Sequence, residues 1–536
     1  MTWDAIVVGS GFGGAMAAHE LVQAGLRVLM LERGGWVARG PDNWGARGAG
    51  LVTPHYTMET PYRVAAGGRR FQAGAWHCVG GQSVFYGGAS FRFRERDFEP
   101  DAGIVGDSGA EWPFRYADLE PFYARVERLL GVAGDPSGDA TEPPRSEPYT
   151  QPPAPLSRPA AAIVAAARRL GMSPSRIPLA ISYGAAGGRR PCIRCGTCDG
   201  YACAAEAKND VATTIIPGLV GRGMTLRANT VCVRIVRERL RVVAVEYADR
   251  VTGERGRLAT RCVVLAAGTL ATPHLLLASG LDAVNPAGYA VGRFLTRHRN
   301  AVVLGLYSSR PNPERAFDKQ VAIHDFYFGV PGGPAPRGTL GSIQQMTPSP
   351  GLVRAYLPWA VRDPAALVVS HASGLLVIAE DQPRRENGVA LDPACTDRFG
   401  MPALDVRHAY SARDEAAAAA LVSQARRVLR ETGASFTWVH PIETFSHALG
   451  TVRMGVDART APLDADGRFG GLDNLFVADG SALPRAAGVN PSLTIAANAL
   501  RVGARVAQSI PAAARHVRRA LPVWDAHPAT PTMEVA

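Results

Sequence analysis

"DAIVVGSGFGGAMAAHELVQAGLRVLMLERGG", residues 4–35, reads as a strand, a glycine turn, a helix and a second strand. The apolar run from Ala5 to Val8 makes the first strand, and "RVLML" makes the second, which ends on Glu32. Between them Gly9, Gly11 and Gly14 form G-x-G-x-x-G, with Phe12 and Gly13 in the intervening positions. Gly9 permits the tight turn, Gly11 lets the backbone approach a pyrophosphate, and Gly14 lets helix and strand pack closely. The helix start offers unpaired N–H groups to phosphate, and an acid eighteen residues past Gly14 accepts hydrogen bonds from an adenosine ribose. Glu32, with Arg33 beside it, is that acid, and an acid rather than an arginine there favours NAD or FAD over NADP.

At 536 residues the chain is too long for one ordinary core, which predicts two or more lobes. Hydrophobic residues at 47% and charged residues at 20% give a soluble, globular balance. The net charge of +11 comes mostly from scattered arginine rather than a basic run. That pattern predicts a solvated surface and no nucleic-acid partner, while leaving room for an acidic electron-transfer partner protein. At the start, Asp4 and a glycine turn stand where a signal peptide has its apolar run. The most apolar stretch, "CVVLAAGTLATPHLLLASG", is broken by Thr, Pro and His, which predicts no transmembrane segment. The expectation is therefore a cytoplasmic protein, in a reducing compartment where cysteines are thiols or ligands rather than disulfides. Export in the folded state alongside a signal-bearing partner is compatible with the same sequence.

The choice between NAD and FAD rests on "LDNLFVADGSALPRAAGVNPSLTIAANALRVGARVAQ" (472–508). "NLFVADG" reads as a buried strand ending at Asp479-Gly480, and an apolar-faced helix starts just after Asn490-Pro491. Flavoproteins with two dinucleotide folds complete their FAD site with such a late strand, which a simple NAD enzyme does not need. Five further segments sharpen this: "VGGQSVFYGGAS" (79–90), "WPFRYADLEPFYARVERLLGV" (112–132), "VLAAGTLATPHLLLASGL" (264–281), "VGRFLTRH" (291–298) and "HALGTVRMG" (447–455). In these segments and their order the chain resembles the glucose–methanol–choline (GMC) oxidoreductases. It stands nearest the cholesterol oxidase, pyranose oxidase and sugar-acid dehydrogenase branches.

The resemblance implies an α/β, Rossmann-like FAD-binding lobe with an inserted α+β substrate lobe built on an antiparallel sheet. Gly9, Gly11, Phe12, Gly13, Gly14, Glu32 and Arg33 fall on the ADP half of FAD, and Val231 falls where the family's backbone meets adenine. Gly80, Gly81, Ser83, Tyr86, Gly87 and Gly88 run along the flavin, together with Ala267 and Gly268. Asp479, Gly480, Asn490, Pro491 and Ser492 close the flavin side.

The implied chemistry is oxidation of a CH–OH group of an alcohol, sugar or sterol-like substrate to a carbonyl, by hydride transfer to flavin N5. His447 takes the place of the base, and histidine suits it because its unperturbed pKa of about 6.5 lies near working pH. Asn490 occupies the second position; it cannot be a base but can orient the alcohol oxygen. Electrons then pass to O2 or to an acceptor such as a quinone or a cytochrome. A non-redox flavin enzyme of the same fold, a lyase or decarboxylase, is the competing reading. Pyranose oxidases bind their flavin through a histidine where this chain has Phe85, which implies non-covalent FAD; His77 lies upstream, out of register. Cholesterol oxidases carry Asn where this chain has Tyr86.

"CIRCGTCDGYAC" (192–203) places Cys192, Cys195, Cys198 and Cys203 in twelve residues, as C-x2-C-x2-C-x4-C. The bacterial ferredoxin run is one residue shorter and ends on proline, and zinc sites use two separated pairs. Sugar dehydrogenases of the resembled family carry three cysteines here for a 3Fe–4S cluster, a likeness that makes Cys192, Cys198 and Cys203 candidate ligands. An iron–sulfur cluster, a thiol or disulfide turn beside the flavin, and zinc all stay open on this sequence.

The organisation expected is an FAD lobe over 1–300, with a Pro-rich surface crossing at 133–159 and the cysteine loop at 192–203. A mainly substrate-binding lobe covers 301–440, the chain returns to the FAD lobe over 441–515, and 516–536 forms a tail. "ARDEAAAAALVSQARRVLRETG" predicts an amphipathic helix ending at Gly433, inside the substrate lobe. Glu380 reads either as pocket-facing or as a surface acid at a strand end.

Overall fold

Ala5–Val8, Val28–Leu31, Val263–Leu265 and Leu475–Val477 are buried along their whole length. Apolar runs of this kind suit a parallel sheet covered on both faces. The computed structural model describes residues 2–184, 189–332 and 336–510, so the expected tail at 516–536 lies outside the described residues. The sheet order is Leu475–Val477, Val263–Leu265, Ala5–Val8, Val28–Leu31 and Thr225–Arg227, every pair parallel. The strand opening the chain is thus central, with Ile6 opposite Leu29 on one side and Val263 on the other. Helices Phe12–Gln23 and Ser492–Ser509, from opposite ends of the chain, pack against each other beside this sheet.

A second, fully antiparallel sheet runs in the order Phe436–Pro441, Arg299–Leu306, Ala372–Ala379, Gly341–Gln345, Val321–Ile323 and Pro174–Arg176. The expected helix packs on it as Ala412–Glu431, burying Ala417, Leu421, Ala425 and Val428 against Val303, Leu375 and Val377. Ser411 and Asp414 cap its start reciprocally, and Gly433 at φ +92° ends it. This sheet is the antiparallel base of the substrate lobe, as the sequence predicts. It also draws on Pro174–Arg176 and on helix Arg158–Arg169, well before residue 300. Residues 134–157 carry neither helix nor strand, but they hold Asp139, whose buried carboxylate accepts from Arg94 at 2.6 Å and lies 2.8 Å from His324 Nδ1.

Two smaller sheets complete the frame. Thr230–Glu238, Arg241–Asp249 and Arg255–Ala259 form a meander. Gly388–Thr396, Pro402–His408, Tyr56–Ala66 and Arg69–Trp76 form a mixed sheet that joins the two ends of the chain's middle.

Candidate functional site

The glycine turn after Ala5–Val8 opens onto a cavity of about 410 Å3. Gly9 sits at φ +100°, and a Cβ there would lie 2.3 Å from the Ala266 carbonyl oxygen; a Cβ on Gly14 would lie 1.9 Å from that of Gly9. Both positions exclude side chains, so strand, turn and helix close tightly. By contrast a Cβ on Gly11 would meet nothing within 4 Å, because this residue faces the open cavity. That cradle of bare backbone at a helix start is what a pyrophosphate requires.

Glu32 lines the same cavity, its carboxylate accepting from the Ser10 amide at 3.1 Å, the Ser10 hydroxyl at 2.5 Å and the Gly34 amide at 2.9 Å. Burial pushes this carboxyl up, and the Ser10 and Gly34 hydrogen bonds oppose that shift. Val231 and Arg33 line the cavity near Glu32, while Phe12, Gly13, Ala267, Gly268, Gly480 and Pro491 continue the lining along its length. Asp479 joins the two halves of that wall. One of its oxygens accepts from the Gly268 amide at 2.8 Å and the Thr272 hydroxyl at 2.5 Å, the other from the Ser481 amide at 2.8 Å.

The segment 79–90 lies across from the glycine turn. Gly81 and Ser83 line the cavity, and the Gly80 amide donates to the Ser10 hydroxyl at 3.0 Å. Tyr86 stands edge-on to Phe12 at 5.2 Å and donates to the Asn209 carbonyl at 2.8 Å. Gly87 backs onto an ion pair, Lys319 with Asp199 at 2.9 Å, and a Cβ there would lie 1.8 Å from the Asp199 carboxylate. Gly88 accepts from the Ala180 amide at 2.8 Å, and Ser492 donates to the Ala89 carbonyl at 2.8 Å. Gly14, Tyr86, Gly87, Gly88 and Ser492 therefore support the cavity from behind rather than line it. His77 does line it, with Nδ1 2.8 Å from the Thr57 hydroxyl.

His447 and Asn490 come together beside Pro491, with Asn490 Nδ2 3.4 Å from His447 Nε2. The other ring nitrogen of His447 lies 2.9 Å from Nδ1 of His298, 149 residues earlier in the chain. Protonation states follow from the partners. Nε2 of His298 faces two carbonyl oxygens, Ala486 at 3.1 Å and Ala487 at 2.9 Å, and must therefore carry the proton. In the neutral ring Nδ1 of His298 is then bare and accepts from His447 Nδ1–H. This leaves His447 Nε2 as a lone pair beside Asn490. Burial foremost, with the neighbouring His298 and Lys319 acting in the same direction, holds the His447 imidazole well below the ordinary value of 6.5. His298 itself sits at φ +60°, and Asp381 fixes it there by accepting from its amide at 2.9 Å and from His408 at 3.1 Å.

Sequence reading singled out His447 and Asn490 but not His298, although His298 ends the quoted segment "VGRFLTRH". Glu380 is neither pocket-lining nor on the surface. It is fully buried behind the turn 485–491, paired with Arg485 at 3.0 Å and accepting from the Ala487 amide at 2.9 Å. Tyr327 braces the same turn, accepting from the Gly488 amide at 2.8 Å and donating to Asp97 at 2.8 Å.

Cys192, Cys195, Cys198 and Cys203 gather around a small pocket with Trp44 and Lys208. All four thiols are free, and among the described residues no group of three or more His, Cys, Asp or Glu is set to hold a metal ion. Buried Lys208 donates to the carbonyls of Tyr86, Cys198 and Tyr201 at 2.6, 3.0 and 2.7 Å, so it fastens the loop to the segment 79–90. Burial pushes the Cys192 thiol up to about 11 and raises that of Cys198 well above the ordinary thiol value. Among the described residues no helix is long and apolar enough to cross a membrane.

Two sequence profiles described as GMC oxidoreductase match residues 3–300 and 383–499. The chain is 32% identical to the 6'''-hydroxyparomomycin C oxidase of Streptomyces lividus, over 95% of this chain and 92% of that one. It is 31% identical to the paromamine 6'-oxidase of Streptomyces fradiae, over 94% and 91%. The crystal structure of pyridoxine 4-oxidase from Mesorbium loti superposes with a TM-score of 0.65 at 20% identity, covering 95% of this chain and 99% of that one.

Proposed function

The chain belongs to the GMC oxidoreductase family, FAD-binding enzymes whose members here oxidise CH–OH groups, and we propose that His447 is its base and Asn490 its orienting residue. The observation that carries this reading is the bare Nε2 of His447 beside Asn490. Gly11 and Gly13 with the start of Phe12–Gln23 would hold the pyrophosphate of FAD, Glu32 the adenosine ribose, Val231 the adenine, and Gly480 with Pro491 the flavin end. The chemistry a bound FAD supplies is acceptance of the carbinol hydride.

The remaining work falls to side chains. Asn490 presents its amide to the substrate oxygen, and His447 Nε2 takes the hydroxyl proton as the C–H bond is broken. His298 keeps the second His447 proton on Nδ1, away from the substrate. The compounds after which the relatives are named, 6'''-hydroxyparomomycin C and paromamine, support an alcohol or sugar-like donor; O2, a quinone or a cytochrome would take the electrons.

Anaerobic addition of alcohols and sugars to the FAD-loaded protein is expected to bleach the oxidised flavin band near roughly 450 nm. If none does so while a lyase substrate turns over, the non-redox reading takes its place. With Phe85 where the covalent histidine would stand, acid precipitation should release the FAD into the supernatant. We read the cysteine loop as a thiol turn that braces the segment 79–90, because Lys208 ties the carbonyls of Cys198 and Tyr201 to that of Tyr86. Stoichiometric iron and labile sulfide in the same anaerobic preparation would overturn that. The cytoplasm is the proposed location.

The depressed His447 value sets a pH expectation. A base must be neutral to accept a proton, and a lowered pKa keeps it neutral through the neutral range. The kcat/KM for flavin reduction should therefore stay level as pH falls through 6.5 and drop only well below it. An acidic limb centred at or above 6.5 would contradict the assignment.

A further inference from the structure

One face of the six-stranded sheet is bordered by the elements that carry His447 and Asn490. Asn300 stands opposite Ile378, which stands opposite Ser342; the next row is Val302, Leu376 and Gln344. The other face carries Val303, Leu375 and Val377 and is covered by Ala412–Glu431. Two contacts place the first face. A Cβ on Gly488 would lie 2.5 Å from Gly341 Cα, so the turn carrying Asn490 rests on the strand start next to Ser342. On the other flank His298, which holds His447, is two residues before Asn300, and the Ile442 amide donates to the Asn300 carbonyl at 3.0 Å.

On the strands Arg299–Leu306, Ala372–Ala379 and Gly341–Gln345 this face is apolar apart from Asn300, Ser342 and Gln344, among Val302, Leu304, Leu376 and Ile378, with His440 and Ser175 on the outer strands. The side-chain oxygens of Asn300, Gln344 and Asn490 are all buried and have no hydrogen-bond partner among the described residues. The Gln344 amide nitrogen donates to Ser342 at 3.1 Å, which orients its oxygen. A buried carbonyl oxygen left without a donor is disfavoured, and such atoms in a folded protein have a partner to meet. Being acceptors only, these three can be met by O–H or N–H groups and by no apolar atom.

We infer that this face is the substrate-selecting wall, and that Asn300 and Gln344 accept hydrogen bonds from hydroxyl or ammonium groups on carbons near the one oxidised. The substrate is accordingly a polyhydroxylated compound, a polyol or an aminopolyol, rather than a long-chain or sterol-like alcohol. The assignment rests on His447 and Asn490 as the reactive pair. Asn300 and Gln344 act on specificity: they hold the remote groups of the substrate, so their loss falls mainly on binding and KM.

The test uses the full FAD-loaded chain and three probes: D-sorbitol, D-glucosamine and 1-hexanol. Calorimetric titration gives the affinity of each, and anaerobic flavin bleaching gives the rate. At least one polar probe should bind about tenfold or more tighter than 1-hexanol, with sorbitol reporting hydroxyl recognition and glucosamine ammonium recognition. Gln344→Met and Asn300→Leu, close in volume, should each lose that preference by about tenfold while 1-hexanol binding holds or improves. Asn300→Asp keeps an acceptor and adds charge, so it should shift preference toward glucosamine even where the apolar variants fold poorly. Equal affinity of the parent protein for all three probes, or a parallel loss of every probe in the variants, overturns the proposal. So does an Asn300→Asp protein with unchanged preference. Selective polar binding that the variants abolish upholds the wall even without bleaching by these three probes, whereas the oxidoreductase reading falls only if a lyase substrate turns over while no alcohol or sugar bleaches the flavin.

Discussion

With glutamine in place of His447, the FAD-loaded protein is expected to bleach about 10²- to 10⁴-fold more slowly on the same substrate, the range a positioned general base contributes. Glutamine keeps a polar side chain beside Asn490 but has no nitrogen lone pair to take a proton. The ring's other contact would be lost as well, since His447 Nδ1 lies 2.9 Å from His298. Stopped-flow absorbance under anaerobic conditions measures the step directly, before any electron acceptor enters. Substrate affinity should change much less than the rate, because the base acts mostly in the transition state. A His447→Gln protein reducing its flavin within threefold of the parent would remove His447 from the base role, a threshold of about 0.7 kcal/mol.

Replacing Arg485 by Met should destabilise the protein by about 3–5 kcal/mol, the cost of leaving one member of a buried ion pair alone. Arg485 is 1% exposed and pairs with Glu380 at 3.0 Å, while also donating to the Asp97 and Glu99 carbonyls at 3.2 and 3.0 Å. Without the guanidinium, Glu380 and Asp97 would face each other in an apolar interior. Asp97 is already pushed up to about 7, by burial first and by Glu380 second. The midpoint of urea unfolding reports the loss. Adding Glu380→Gln should recover part of it, since glutamine still accepts from the Ala487 amide and carries no charge. A loss below about 1 kcal/mol for Arg485→Met would mean that the pair is solvated and the turn 485–491 is braced elsewhere.

Much of the nucleotide lobe was legible because its signals are local. A glycine at position 9 for the turn and an acid at position 32 ending the next strand are dictated by backbone geometry within one stretch. The late strand and helix were readable for the same reason, as was the capped helix 412–431. The proposed reactive pair was readable only through a resemblance to known sequences; nothing local distinguishes His447 from an ordinary buried histidine. His298 went unassigned because its role depends on a partner 149 residues away and on two carbonyls nearly 190 residues away. Glu380 stayed ambiguous for a related reason. An acid at a strand end is usually solvated, and only the tertiary partner Arg485 makes its burial tolerable. The sheet face of Asn300 and Gln344 was invisible, since strand register, not sequence distance, sets those residues side by side.

The strand order of the parallel sheet carries a consequence for how the protein is made. Ala5–Val8 leaves a ribosome long before the edge strand Leu475–Val477, and Phe12–Gln23 long before the helix Ser492–Ser509 that packs against it. At about 5–20 residues per second the interval is on the order of a minute. During it the apolar faces of Phe12–Gln23 and Val263–Leu265 have no permanent cover, and the wall formed by Asp479 and Gly480 does not exist. The cavity wall is therefore complete only once the segment 475–509 has docked on the strands and helix made before it.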